Sequence, residues 1–135
     1  MAYKINEIEG IGVKYSEILI NNDINTADDL LNKCKTPKGR KELAEATGIS
    51  EKLILTWTNH ADLFRVKGIG PQFAELLEAA GVDTVKELAT RVPANLAKKL
   101  EEVNNEKKLT RRIPVESEVA KMIEEAKALD RVIEY

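Results

Sequence analysis

Residues 66–73 read VKGIGPQF, and residues 8–15, which lie 58 positions earlier, read IEGIGVKY. The two stretches align without a gap, and the alignment continues for a further sixteen residues. Identical pairs include Gly10 with Gly68, Ile11 with Ile69, Gly12 with Gly70, Glu17 with Glu75, Leu19 with Leu77 and Thr26 with Thr84. Because a fixed spacing between similar segments indicates a repeated structural unit, the sequence predicts two copies of one motif.

Each copy has the pattern of a tight glycine turn followed by a short amphipathic helix. Apolar side chains recur at helical spacing after each turn, and they are Tyr15, Ile18 and Leu19 in the first copy and Phe73, Leu76, Leu77 and Ala80 in the second. Pro71 suits the first turn of a helix, and Gly81 suits a left-handed end. Each copy is therefore predicted to contain a helix directly after its Gly-Ile-Gly turn.

Further helix starts are marked by capping residues. Thr26 with Asp29 and Thr84 with Glu87 have the spacing of a capping box. Thr36 precedes Pro37 before a helix to about residue 47, and Ser50 precedes a helix through Trp57 towards Phe64. Pro93 and Asn104 are predicted to begin two more helices, and apolar spacing predicts a closing helix from about residue 115 to 129.

These signals predict an all-α fold of about ten short helices without strands. No long linker or low-complexity stretch interrupts the 135 residues, so we expect one domain with a shared core and repeat halves at about 1–57 and 58–135. The lone Cys34 excludes an internal disulfide, and no stretch resembles a signal peptide or a membrane span. We therefore expect a cytoplasmic protein.

The wider sequence resembles a bacterial family of tandem helix-hairpin-helix proteins that is classified as a domain of unknown function. The resemblance rests on the duplicated Gly-Ile-Gly segments and on residues 46–57, 63–89 and 102–114. It implies a SAM-like arrangement in which two helix-hairpin-helix units form a pseudo-repeat. In helix-hairpin-helix proteins of DNA repair and recombination, amides of the hairpin and of the next helix contact phosphates of one strand. The implied activity is sequence-independent binding of DNA or another nucleic acid, which is weak and non-specific.

The resemblance also assigns candidate residues. The hairpin candidates are Gly10, Ile11, Gly12 and Lys14 in the first copy and Lys67, Gly68, Ile69, Gly70 and Gln72 in the second. Hairpin carbonyls in some relatives hold a monovalent cation, so a cation at a hairpin is conceivable, and no other cofactor or metal is implied. Two features oppose binding, because Glu9 adds a carboxylate to the first hairpin and Gln72 stands where binders often carry a cation.

Two basic clusters could assist nucleic-acid binding. The first comprises Lys33, Lys35, Lys38, Arg40 and Lys41, and the second comprises Lys107, Lys108, Arg111 and Arg112. The second set has the spacing of a basic ridge along one predicted helix. However, the 21 basic and 23 acidic residues give a net charge of -2, which excludes a strongly basic coat, and aromatic residues for stacking are only 4%.

The sequence contains no recognisable pattern of catalytic residues. His60 is the only histidine, and no triad, paired-carboxylate or metal-ligand pattern includes it. Trp57 and Met122 lie on apolar helical faces, which indicates core packing. A protein-interaction adaptor with purely structural hairpins is the alternative to nucleic-acid binding. A lyase that uses a Schiff-base lysine is a third hypothesis, although no lysine stands out for it.

Overall fold

The computed structural model describes residues 3–135, and in this range the chain is all-helical without a β-strand. A 3₁₀ turn, Ile5–Glu7, precedes eight α-helices. Their bounds are α1 Val13–Ile20, α2 Ala27–Cys34, α3 Pro37–Thr47, α4 Glu51–Leu63, α5 Pro71–Ala79, α6 Val85–Ala89, α7 Pro93–Lys107 and α8 Glu116–Ala128. The all-α prediction is confirmed, but the expected count of about ten helices is too high. None of the described helices has the length and apolar character needed to cross a membrane.

The chain divides into two compact units. The first unit consists of Met1–Asp62 together with Val132–Tyr135, and the second unit consists of Leu63–Arg131. Helices α1 to α4 belong to the first unit, apart from the last residue of α4, and helices α5 to α8 belong to the second. The division therefore falls a few residues after the boundary that the sequence predicts between residues 57 and 58. A core shared by both halves stays a prediction.

The first unit packs its helices around side chains that are almost completely buried. Leu19, Leu30, Ile54 and Trp57 come from helices α1, α2 and α4. The segment before α1 joins this packing through the backbone, because the Ile5 amide donates to the Asn25 carbonyl at 3.0 Å. Removing such apolar surface from water is the main source of stability in a helical unit of this size.

The second unit has one continuous apolar core. Its fully buried members include Leu76, Leu77, Leu88, Leu100 and Ile123, which come from helices α5, α6, α7 and α8. Helix α8 contacts both α6 and α7 and so covers the core. The predicted closing helix is confirmed, with ends within one residue of the expected ones.

Most of the predicted helix caps are present. The hydroxyl of Thr36 accepts from the Gly39 amide at 3.1 Å, and that of Ser50 accepts from the Leu53 amide at 3.2 Å. The Thr26 hydroxyl accepts from the Asp29 amide at 3.0 Å, and the Asp29 carboxylate accepts from the Thr26 amide at 3.1 Å. This reciprocal pair satisfies two N-terminal amides of α2 at once.

The corresponding cap of α6 is only half of a capping box. The Thr84 hydroxyl accepts from the Glu87 amide at 3.0 Å. The Glu87 carboxylate, however, accepts from the Arg91 guanidinium at 2.8 Å. The prediction of a reciprocal box at Thr84 is therefore wrong in this respect, because a nearby cation competes for the carboxylate.

The last four residues complete the first unit. Ile133 is buried, and the amide of Glu134 donates to the Lys35 carbonyl at 2.7 Å. The Tyr135 hydroxyl donates to Oδ1 of Asn59 on α4 at 2.7 Å. The tail is consequently held by a backbone contact to Lys35, which follows α2, and by a side-chain contact to α4.

Candidate nucleic-acid interface

The first bend, residues 8–12, is a tight turn that ends at α1. Gly10 has φ of +93°, which disfavours any residue with a side chain, and it is exposed. The Ile11 amide donates to the Ile8 carbonyl at 3.1 Å and closes the turn. Both isoleucine side chains are buried, so only the backbone of Ile11 can contact a ligand.

The second bend, residues 66–70, has the same local backbone. Gly68 also has φ of +93° and is exposed. The Ile69 amide donates to the Val66 carbonyl at 3.1 Å, and both of these side chains are buried. The two bends thus agree in glycine conformation, in the hydrogen bond that closes the turn and in the apolar residues that anchor it.

The helices that follow the bends begin without a side-chain cap. Gly12 and Gly70 are the N-cap residues of α1 and α5, and a glycine has no side chain to accept from the first amides. The first intrahelical bonds are from Ser16 to Gly12 and from Ala74 to Gly70, each at 2.9 Å. The amides of residues 13–15 in α1 and of residues 72–73 in α5 therefore have no partner within their helices, since Pro71 has no amide hydrogen, and the positive end of the helix dipole favours an anion there.

The two bends rest on different side chains. A methyl group added at Gly10 would lie 3.3 Å from Nε1 of Trp57, and one added at Gly68 would lie 3.2 Å from Cε of Met122. The Trp57 ring is buried and meets the Tyr15 ring edge-on, with the centroids 5.2 Å apart. The predicted packing roles of Trp57 and Met122 are consistent with this support beneath the bends, although Met122 is only half-buried.

The charged groups at the two bends also differ. Glu9 and Lys14 are exposed at the first bend, and Lys67 and Gln72 are exposed at the second. At the second bend the Lys67 amide donates to Oε1 of Glu125 at 3.1 Å. The sequence did not indicate Glu125 as part of the site, because it lies on α8 and no local pattern links it to the bend.

The predicted basic ridge at residues 107–112 is wrong. Helix α7 ends at Lys107, and Lys108 takes a left-handed conformation with φ of +52°. Asn104 lies inside α7 rather than beginning a new helix, and its amide group holds the chain beyond the helix. Its Nδ2 donates to the Thr110 carbonyl and its Oδ1 accepts from the Thr110 amide, both at 2.9 Å. These bonds stabilise a helix end where the sequence suggested a helix start.

The four basic side chains of this segment nevertheless remain exposed. Arg112 is paired with the Glu118 carboxylate. The pKa of Glu118 is held below its usual range, first by the Val115 amide and then by Arg112. No ion pair in the described part of the chain involves Lys107, Lys108 or Arg111. This loop therefore offers three uncompensated cations instead of a ridge of four.

The first basic cluster, at residues 33–41, likewise has fewer available cations than the sequence predicts. Arg40 is buried, with 6% of its surface exposed, and it donates to the Cys34 carbonyl at 3.0 Å and to the Glu134 carbonyl at 2.8 Å. Lys33 is paired with Glu42 at 3.2 Å. The lysines of the cluster that remain exposed and uncompensated are Lys35, Lys38 and Lys41. Arg40 is thus part of the packing and is not available to a partner.

A family model described as a domain of unknown function, DUF4332, matches residues 9–129. The chain belongs to this family. The DUF4332 match covers the glycines of both bends and all eight α-helices of the described residues, and it ends before the tail that completes the first unit. No curated protein and no solved structure matches the sequence.

The remaining candidate groups of this DUF4332 chain are buried. Burial raises the pKa of the Cys34 thiol to about 11, and a hydrogen bond with Thr58 opposes that rise only in part. The side chain is fully buried and stays protonated at neutral pH, which makes it a poor nucleophile. His60 is buried in α4. Residues 3–135 contain no group of three or more metal-binding side chains.

Proposed function

We propose that this protein is a non-enzymatic helix-hairpin-helix module that binds DNA or another nucleic acid through backbone phosphates. One observation carries the proposal, namely that both exposed bends lead into helices whose N-caps are glycines without a side-chain acceptor. At α2, α3 and α6, by contrast, a threonine hydroxyl accepts from a first-turn amide, and the uncapped helices α7 and α8 follow a valine instead of a glycine bend. The amides after the bends are left for water or for an external anion.

The geometry favours phosphate over a nucleobase. A glycine bend lets an extended phosphate chain approach the amides closely, because no Cβ projects from Gly10 or Gly68. Contacts of amides with phosphate oxygens position a strand without reading its sequence. The module is therefore proposed to bind duplexes of unrelated sequence with similar affinity.

The charge distribution determines how strong the binding to nucleic acid is expected to be. The first unit has eight basic and eleven acidic residues and a net charge of -3, and the second has thirteen basic and twelve acidic residues and a net charge of +1. Lys14 and Lys67 are exposed beside the bends and attract an anion there, and Lys107, Lys108 and Arg111 add exposed positive charge to the second unit. With so little net positive charge, we expect a Kd near the weak end of the range of about 10⁻⁴ to 10⁻⁶ M that is typical of non-specific binding.

The test is a titration of a labelled duplex, a second duplex of unrelated sequence, and single strands of DNA and RNA at low and moderate salt. Binding to two to four phosphates predicts that log K falls with log salt with a slope of about -2 to -4. Lys14→Gln should weaken binding about threefold and lower the slope by about one. Lys33→Gln is the matched control in the same unit, because Lys33 is already paired with Glu42.

Failure of this test would favour the alternative function. Val13, at the start of α1, has 77% of its surface exposed, and Ile20, seven residues later on the same face, has 46% exposed. This exposed apolar pair is the feature that favours a protein-interaction adaptor. Absence of binding to every nucleic acid at low salt, or binding that does not depend on salt, would contradict the phosphate-binding proposal.

A further inference from the structure

Glu125 is placed where it can affect an anion at the second bend. It is half-buried on α8, and its Oε1 accepts from the Lys67 amide at 3.1 Å. Met122, one turn earlier on α8, lies beneath Gly68. Two side chains of α8 thus fix this helix against the bend, one through packing and the other through a charged hydrogen bond.

The first bend has no comparable carboxylate contact. The amide that corresponds to that of Lys67 belongs to Glu9, and among residues 3–135 no side chain accepts from it. The Glu9 side chain is exposed and can turn into solvent. The difference is therefore between a carboxylate that is held at the bend and one that is free to move away.

We infer that Glu125 is an autoinhibitory group whose carboxylate competes with phosphate at the second bend, so that an unmodified chain engages nucleic acid mainly through the first bend. This inference rests on the proposed function. The carboxylate occupies a backbone amide as an external anion would, and its negative charge repels a phosphate that approaches the neighbouring amides. Neutralising that charge makes the second bend available.

The experiment compares Glu125→Gln with Glu124→Gln in titrations of the same labelled duplex. Each variant removes one negative charge from α8, but Glu124 is an exposed residue paired with Lys127 and does not contact the bend. Glutamine at position 125 is close to glutamate in size but uncharged, so it preserves the packing of α8, while its neutral oxygen is a weaker acceptor that phosphate can displace from the Lys67 amide. We expect Glu125→Gln to tighten binding about fivefold and Glu124→Gln to change it by less than about twofold.

A second measurement locates the effect. Inorganic phosphate is titrated into each protein while the amide resonance of Lys67 is followed by NMR. A phosphate-dependent shift in Glu125→Gln that is much smaller in the unmodified chain and in Glu124→Gln is the expected result. Equal tightening by the two variants, or equal shifts in all three proteins, would overturn the competitor role while leaving phosphate binding intact. If none of the three proteins binds any duplex, the proposed function itself fails.

Discussion

The bends at Gly10 and Gly68 share a backbone and differ in almost everything that touches them. Both have φ of +93° and the same closing hydrogen bond, but one lies on the rigid ring of Trp57 and the other on the flexible end of Met122. Only the second has a carboxylate bound to its amide. The comparison teaches that a short local motif fixes the backbone of a bend, whereas helices distant in sequence determine which side chains contact it.

The largest loss of stability should come from removing Trp57, the side chain that lies beneath the first bend. Trp57→Ala deletes a buried aromatic side chain and should lower the free energy of unfolding by about 3–5 kcal/mol. Met122→Ala removes a half-buried side chain and should cost about 1–2 kcal/mol. Urea unfolding followed by circular dichroism measures both. Equal losses would show that the two bends depend equally on the residues beneath them.

A smaller effect is expected from the bends themselves. Gly10→Ala and Gly68→Ala each force a residue with a Cβ to adopt φ of +93°, which costs about 1–2 kcal/mol. Gly10→Ala should cost about 1 kcal/mol more, because the buried indole cannot move aside as easily as a methionine methyl group. Gly12→Ala is the control, since Gly12 has φ of -80° and open space around its Cβ position. A Gly12→Ala loss as large as that of Gly10→Ala would contradict this explanation.

The smallest change in the free energy of unfolding is expected between variants of the N-caps of α2 and α6. Thr26→Ala breaks a reciprocal pair and should cost about 1.5 kcal/mol, whereas Thr84→Ala breaks a single bond and should cost about 1 kcal/mol. Thr56→Ala serves as a control, because the Thr56 hydroxyl only donates to the Lys52 carbonyl within α4. Thermal unfolding of the three variants gives the order, and a reversed order would show that Glu87 supports its cap despite its pairing with Arg91.

The parts of the fold that the sequence predicted correctly are those that depend on neighbouring residues. The starts of α3 and α4 follow from Thr36 and Ser50, whose hydroxyls bond to amides three residues later. The error at Asn104 has the same origin, because asparagine is a favoured cap and only the position of Thr110 shows that it acts at a helix end. A capping residue thus indicates that a helix boundary is near, but it does not always show whether the helix begins or ends there.

The candidate site could be predicted only in its backbone. The glycines and the exposed Lys14 and Lys67 follow from the repeated pattern and from its resemblance to helix-hairpin-helix proteins. The contact of Glu125 with Lys67 and the burial of Arg40 against Glu134 join residues that are 58 and 94 positions apart. No periodicity or spacing rule connects such pairs, so the charges that are available to a partner emerge only from the packed structure.

The tail at Val132–Tyr135 has a consequence for biosynthesis. Translation proceeds from the N-terminus to the C-terminus. Arg40 and Asn59 therefore meet Glu134 and Tyr135, their partners in the tail, only after the whole second unit has been made. The N-terminal half therefore emerges first and acquires its final contacts last. Until the tail has been made, the Arg40 guanidinium of a nascent first unit has the Cys34 carbonyl as a partner but lacks the Glu134 carbonyl.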